Sequence, residues 1–126
     1  MDWKIEFIQD AALISTTING VVTLTEIKKI SDEVYKEAKL RGVSRLITDY
    51  RNVSLKVSTA DIHDLPQTLK KLGRTSDLRS AVVIPVNSPN KPDYVFFDTR
   101  CFNSMLNIKI FADYDDAYTW LTDDTK

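Results

Sequence analysis

The chain has 126 residues, a common size for one folded domain, with 43% hydrophobic and 28% charged residues as in ordinary globular proteins. A formal net charge of −1 gives no strongly basic surface, so nucleic acid is not an expected partner. The single cysteine, Cys101, makes neither an internal disulfide nor a metal motif. No window reaches the roughly 18 apolar residues of a membrane span, and MDWKIEFIQD lacks a signal-peptide pattern, so a cytoplasmic setting is expected.

WKIEFIQ alternates, with Trp3, Ile5 and Phe7 on one face and Lys4 and Glu6 on the other, which predicts a half-buried strand. ALISTTI follows closely enough to pair back as a hairpin, and Asn19-Gly20 is read as the end of that second strand. Thr23 stands three residues before Glu26, the spacing of a capping box. Ile27, Ile30, Val34 and Ala38 then recur at helical intervals, predicting a helix to about Arg41 with Gly42 as its stop.

SRLITDY reads as a third strand, followed by a loop through RNVSLKVST. Ile62, Leu65, Leu69 and Leu72 form one helical face ending at Gly73. Pro66 would break a helix interior, so either the helix is kinked near Ile62 or its regular part begins at Asp64, and Asp64 as cap with Gln67 three residues on suits the second. SAVVIPV is a short, continuously apolar strand, covered on both faces. A helix is expected from 93 to about Leu106, then the strand IKIF. Asp113 is placed as the cap of YDDAYTWL, whose Ala117, Trp120 and Leu121 point inward. The order β-β-α-β-α-β-α-β-α predicts one α/β domain over 1–126: a five-stranded, mostly parallel sheet with an N-terminal antiparallel hairpin and four helices.

Several chemistries fail on residue grounds. The three glycines, at 20, 42 and 73, lie apart, so neither glycine-rich phosphate loop is present. A response-regulator site around Asp49 would need further carboxylates after the first strand and a lysine ending the last, whereas Lys109 begins it. No cofactor and no metal site are expected.

His63, between Asp61 and Asp64, is either a base held by a carboxylate or a partly exposed residue near a helix start. Cys101 shares a helix face with Tyr94, Phe102 and Met105, which suits a small buried hydrophobe. Asp98 projects from the middle of that face, so it must be paired at a rim or open onto a cavity. A ligand pocket would then include Asp98, Tyr94, Cys101 and Phe102. Phe96 turns to the opposite side, where an aromatic centre suits a partner interface or a homodimer.

With INGVVTLTEIKKISDEVYKEA and DYRNVSLKVST in this element order, the chain resembles the STAS domain, the fold of bacterial anti-sigma factor antagonists and sulfate-transporter tails. Gly20 matches the family's small residue before the first helix, Asp49 its strand-end aspartate and Val53 its hydrophobic position. Ser58 falls on its phosphorylated serine and Thr59 on the second serine, but Val57 and Ala60 replace the flanking aspartate and glycine. IKIFADYDDAYTWL resembles a divergent branch of small bacterial proteins, likened both to anti-sigma antagonists and to the lipid-binding CRAL-TRIO fold. On Phe111, Asp113, Asp116, Ala117, Trp120 and Leu121 it matches their aromatic strand, acidic cap and closing helix.

The resemblance implies a non-enzymatic regulatory module that docks a protein partner through residues 51–66, with Asp49, Arg51, Ser58 and Thr59 as docking or phosphoacceptor residues. Read from the residues alone, Ser58 and Thr59 are capping hydroxyls. The alternative function is a carrier of a small apolar, lipid-like ligand between the sheet and helix 93–106. An enzyme acting through His63 or Asp98 comes third.

Overall fold

The computed structural model describes residues 2–75 and 77–123. In chain order the elements are β1 (Asp2–Ile8), β2 (Leu13–Thr23), α1 (Leu24–Arg41), β3 (Arg45–Lys56), α2 (Thr59–Lys71), β4 (Arg79–Val83), α3 (Lys91–Asn103), β5 (Ile108–Phe111) and α4 (Tyr114–Thr122). They form one five-stranded sheet in the order β1-β2-β3-β4-β5, with β1 antiparallel to β2 and the remaining pairs parallel. Element order, sheet and helix number agree with the sequence expectation.

Helices α1, α2 and α3 cover one face of the sheet. Trp3, Ile5 and Phe7 of β1 pack on that side with the buried stripe Ile27, Ile30, Val34 and Ala38 of α1. Alternation in β1 and helical periodicity in α1 thus meet in one core. The seam is held at its rim as well, where the Trp3 indole donates to Glu33 at 2.9 Å and Arg41 lies over the Phe7 ring. Thr23 donates through both its backbone N–H and its hydroxyl to the Glu26 carboxylate, and Gly42 at φ 66 stops the helix in the left-handed region. Helix α4 covers the opposite face, where Ala117 and Leu121 bury against Leu13, Ile47, Ala81 and Val83.

Four local expectations are corrected. Asn19-Gly20 does not end β2, because Gly20 adopts φ 105 inside the strand and pairing with β3 continues to Thr23. Residues 51–56 are strand, not loop. Helix α2 begins at Thr59, five residues before the expected start, with Ser58 as its cap and Pro66 inside it. Pro66 removes one helical donor, but it is buried with Ile62, Leu65 and Leu69, and that burial offsets the local cost.

The fourth correction is to helix 93–106, which ends at Asn103. Ser104 is its C-cap and Met105 turns left-handed at φ 61, leaving the helical phase. Met105, beyond the helix, is 83% exposed, and Phe102, inside it but about 100° round from Cys101, is 82% exposed, while Tyr94 and Cys101 are buried.

Trp120 packs inward as expected but is only partly buried on the α4 cluster, lying against Phe111 at 5.6 Å between ring centres with the Arg79 guanidinium over it. Leu121 is fully enclosed. Leu121→Ala is therefore expected to cost about 2–5 kcal/mol, and Trp120→Ala less than the roughly 3–5 kcal/mol of a buried tryptophan. Urea denaturation midpoints of the two variants check this ordering.

Candidate functional site

The junction beyond β3 begins with a break in register. Thr17 pairs with Asp49 but Asn19 pairs with Asn52, so Ile18 alone stands opposite both Tyr50 and Arg51. One extra residue in a strand reverses the inward-outward alternation beyond it. Before the break Leu46 and Tyr50 face the α1–α3 side, and after it Val53 and Leu55 do. Ile47 faces α4.

A bulge leaves a backbone N–H without a ladder partner. Asp49 supplies one: its carboxylate accepts from the Arg51 N–H at 3.0 Å and from the Arg51 guanidinium at 3.0 and 2.8 Å. Burial pushes the Asp49 carboxyl upward, but the hydrogen bonds and charge of Arg51 outweigh it and hold the group below its ordinary range. Arg51 also lies over the Tyr114 ring at 5.4 Å. Asp49 and Arg51 thus clamp the bulge and tie it to α4.

Beyond Asp49, which pairs with Val83 at the end of β4, β3 has β2 on one side only. Asn90 covers part of the open side. Its side-chain amide accepts from the Leu55 N–H and donates to the Leu55 carbonyl, both at 3.1 Å, as a neighbouring strand would. The sequence reading missed this residue, whose only signal is an asparagine set in a turn between Pro89 and Pro92.

Ser58 and Thr59 lie past the end of β3, both exposed, and the Ser58 hydroxyl accepts from the Asp61 N–H at 3.1 Å. The run from Asp49 to Lys56, at about 3.3 Å per residue, separates the clamp from this cap by about 20 Å. The four residues of the expected docking set therefore form two groups: Asp49 with Arg51, and Ser58 with Thr59.

The expected pocket set also divides. A cavity of about 100 Å³ lies under α1, α2 and α3 against the sheet, and Tyr94 lines it, but Asp98, Cys101 and Phe102 do not. Asp98 instead lies toward the Ile110 N–H and Lys109 at the edge strand β5. Burial pushes its carboxyl above the ordinary range, against the opposing pull of Lys109 and of that N–H. Burial likewise pushes the Cys101 thiol up to about 12. Phe96 does not stand free on the surface. It is half-buried and stacks on His63, with 6.2 Å between ring centres, at the α2–α3 contact. The apolar residues that α3 leaves exposed are Val95 and Phe102. His63 is exposed and paired with Asp64 at 3.1 Å.

No family model matches the chain, and no curated protein matches it. Solved structures do match. An anti-sigma factor antagonist from Mycobacterium paratuberculosis is 14% identical, with 97% of this chain and 96% of that one covered at a TM-score of 0.61. An uncharacterized protein of the DUF3478 family with a SpoIIAA-like fold, from Shewanella loihica, is 19% identical over 95% and 92% of the chains, at 0.58. The anti-sigma factor antagonist SpoIIAA in its unphosphorylated form is 12% identical over 92% and 94%, at 0.51. The chain therefore has the fold of the anti-sigma factor antagonists, the STAS-like fold that its sequence resembles.

Because the folded state depresses the Asp49 pKa, the carboxylate stabilises the fold above its unfolded value, near 3.9, and that contribution is lost as pH falls through the lower folded value. Asp49→Ala is expected to cost about 1–3 kcal/mol at neutral pH by leaving the Arg51 N–H unpaired. The gap from wild type should narrow below about pH 3.9. Urea midpoints across that range measure it, and a gap independent of pH would show that the carboxylate charge plays no part.

Proposed function

We propose that this chain is a non-enzymatic regulatory module that docks a protein partner through the exposed start of α2 and the adjoining end of β3. The observation that carries the reading is the position of Ser58. It is an exposed N-cap hydroxyl at the end of a two-stranded extension, in a fold shared with anti-sigma factor antagonists. A phosphate there would lie at a helix N-terminus, where negative charge is favoured, and would add roughly −1.5 to −2 charge. Thr59, Asn52, Ser54 and Lys56 are also exposed, so a partner meets hydroxyls, one amide and one ammonium at this end.

The residues with chemical potential elsewhere suit this reading. The Cys101 thiol is buried and held protonated by desolvation. His63 is occupied at the surface by Asp64 and by its stack on Phe96. Among the described residues no helix is long and apolar enough to cross a membrane.

Ser58→Ala is expected to cost about 0.5–2 kcal/mol, the loss of one cap. Ser58→Glu should change the affinity for a partner recovered on the wild-type chain, with little change in melting temperature. Biolayer interferometry of wild type, Ala and Glu variants against that partner decides the matter. Equal affinities for all three would end the switch at Ser58.

A further inference from the structure

The cavity beneath the three helices holds a charge without a counter-charge. Arg74 lines it and is 4% exposed. One terminal nitrogen of the guanidinium donates to the Ser80 hydroxyl. The other donates to the Leu78 and Asn107 carbonyls at 2.8 and 2.9 Å, while Nε has no partner. All these acceptors are neutral, and among the described residues no carboxylate pairs with Arg74. Asp77, whose charge reaches it, is exposed and accepts from the Thr75 hydroxyl instead. Burial lowers the Arg74 pKa, but a guanidinium stays protonated in proteins. An unpaired buried cation is costly, and an anion brought to it would offset that cost.

A second orphan borders the same space. Tyr94 is 4% exposed and its hydroxyl has no partner. Tyr35 also lines the cavity, with its hydroxyl toward Arg74. Apolar side chains including Val34, Leu65 and Phe97 complete the walls. An apolar cavity of about 150 Å³ takes one benzene, so about 100 Å³ suits a ligand of about four or five non-hydrogen atoms. An acyl chain does not fit that space, and a phosphate dianion would meet one guanidinium and apolar walls. We infer that the cavity is a binding site for a short-chain organic carboxylate, with its oxygens toward Arg74 and its alkyl end against Val34, Leu65 and Phe97. Ser58 does not line this cavity, so the site stands or falls apart from the docking reading.

The test is a heteronuclear NMR titration of the full chain with sodium propionate, with propionamide as the uncharged isostere and sodium chloride at matched ionic strength. Saturable shifts of the residue 74, 80 and 94 amides with propionate alone are the expected result. Arg74→Gln should weaken binding on the order of tenfold or more. Because Arg74 also ties two carbonyls, its removal disturbs the fold as well as the site, so Val34→Phe, which fills the cavity and leaves the guanidinium in place, is measured beside it. Loss of binding in a folded Val34→Phe protein supports the site, and unchanged affinity overturns it. Equal shifts with propionamide or chloride, or none with propionate at millimolar concentration, also overturn it.

Discussion

The bulge at Tyr50 and Arg51, held by the Asp49 carboxylate, is the constraint on which the β2–β3 extension and the start of α2 depend. Strict alternation through β3 would turn Val53 and Leu55 to the α4 side, away from the core they join. One extra residue reverses the phase, so the β2–β3 ribbon keeps an apolar face toward the helices past the end of β4. That ribbon carries the chain to the start of α2 and sets where Ser58 is presented. A carboxylate fits the bulge because it accepts the freed N–H and the guanidinium of the same residue together.

Two open stretches of the sheet are covered by side chains. Asn90 reproduces a strand's donor and acceptor at Leu55, and Asp98 lies toward the Ile110 N–H on β5. Exposed strand edges invite pairing with other chains, and polar side chains across them blunt that tendency. This accounts for an aspartate on the inner side of α3. It serves the sheet edge, and burial raises its pKa as the consequence.

The face under α1, α2 and α3 combines an apolar lining with Arg74, Tyr35, Tyr50 and Tyr94. Tyr50 and Tyr94 meet edge to face, with 6.1 Å between ring centres, and burial pushes both hydroxyls up, Tyr94 to about 12. Arg74 joins three segments through the Ser80, Leu78 and Asn107 oxygens, which gives it a structural role whatever occupies the cavity. Face and ribbon meet at Tyr50, Leu55 and Val57, which line the cavity on the side of the ribbon.

The sequence by itself determined the elements whose period is unbroken. Helix α1 was legible down to Ile27, Ile30, Val34, Ala38 and Gly42, β1 from its alternation, and the Asp113 cap of α4 from its spacing. The apolar run SAVVIPV located β4 but overran it, since the strand stops at Val83 and Val86 is exposed. These signals are local, because burial of one face dictates the pattern. The STAS-like order followed from them.

Tertiary structure decided everything that depends on a distant partner. The bulge at Tyr50 and Arg51 puts NVSLK out of phase with RLITDY, so a strand read as a loop. Pro66 obeys the local rule that predicts a later helix start, and burial against the core overrides it. Asp98 and Phe96 take their roles from Ile110 and His63, contacts that residue spacing within one helix does not contain. Arg74 carries no sequence signal at all, since its burial arises only when α1, α2, α3 and the sheet close around it.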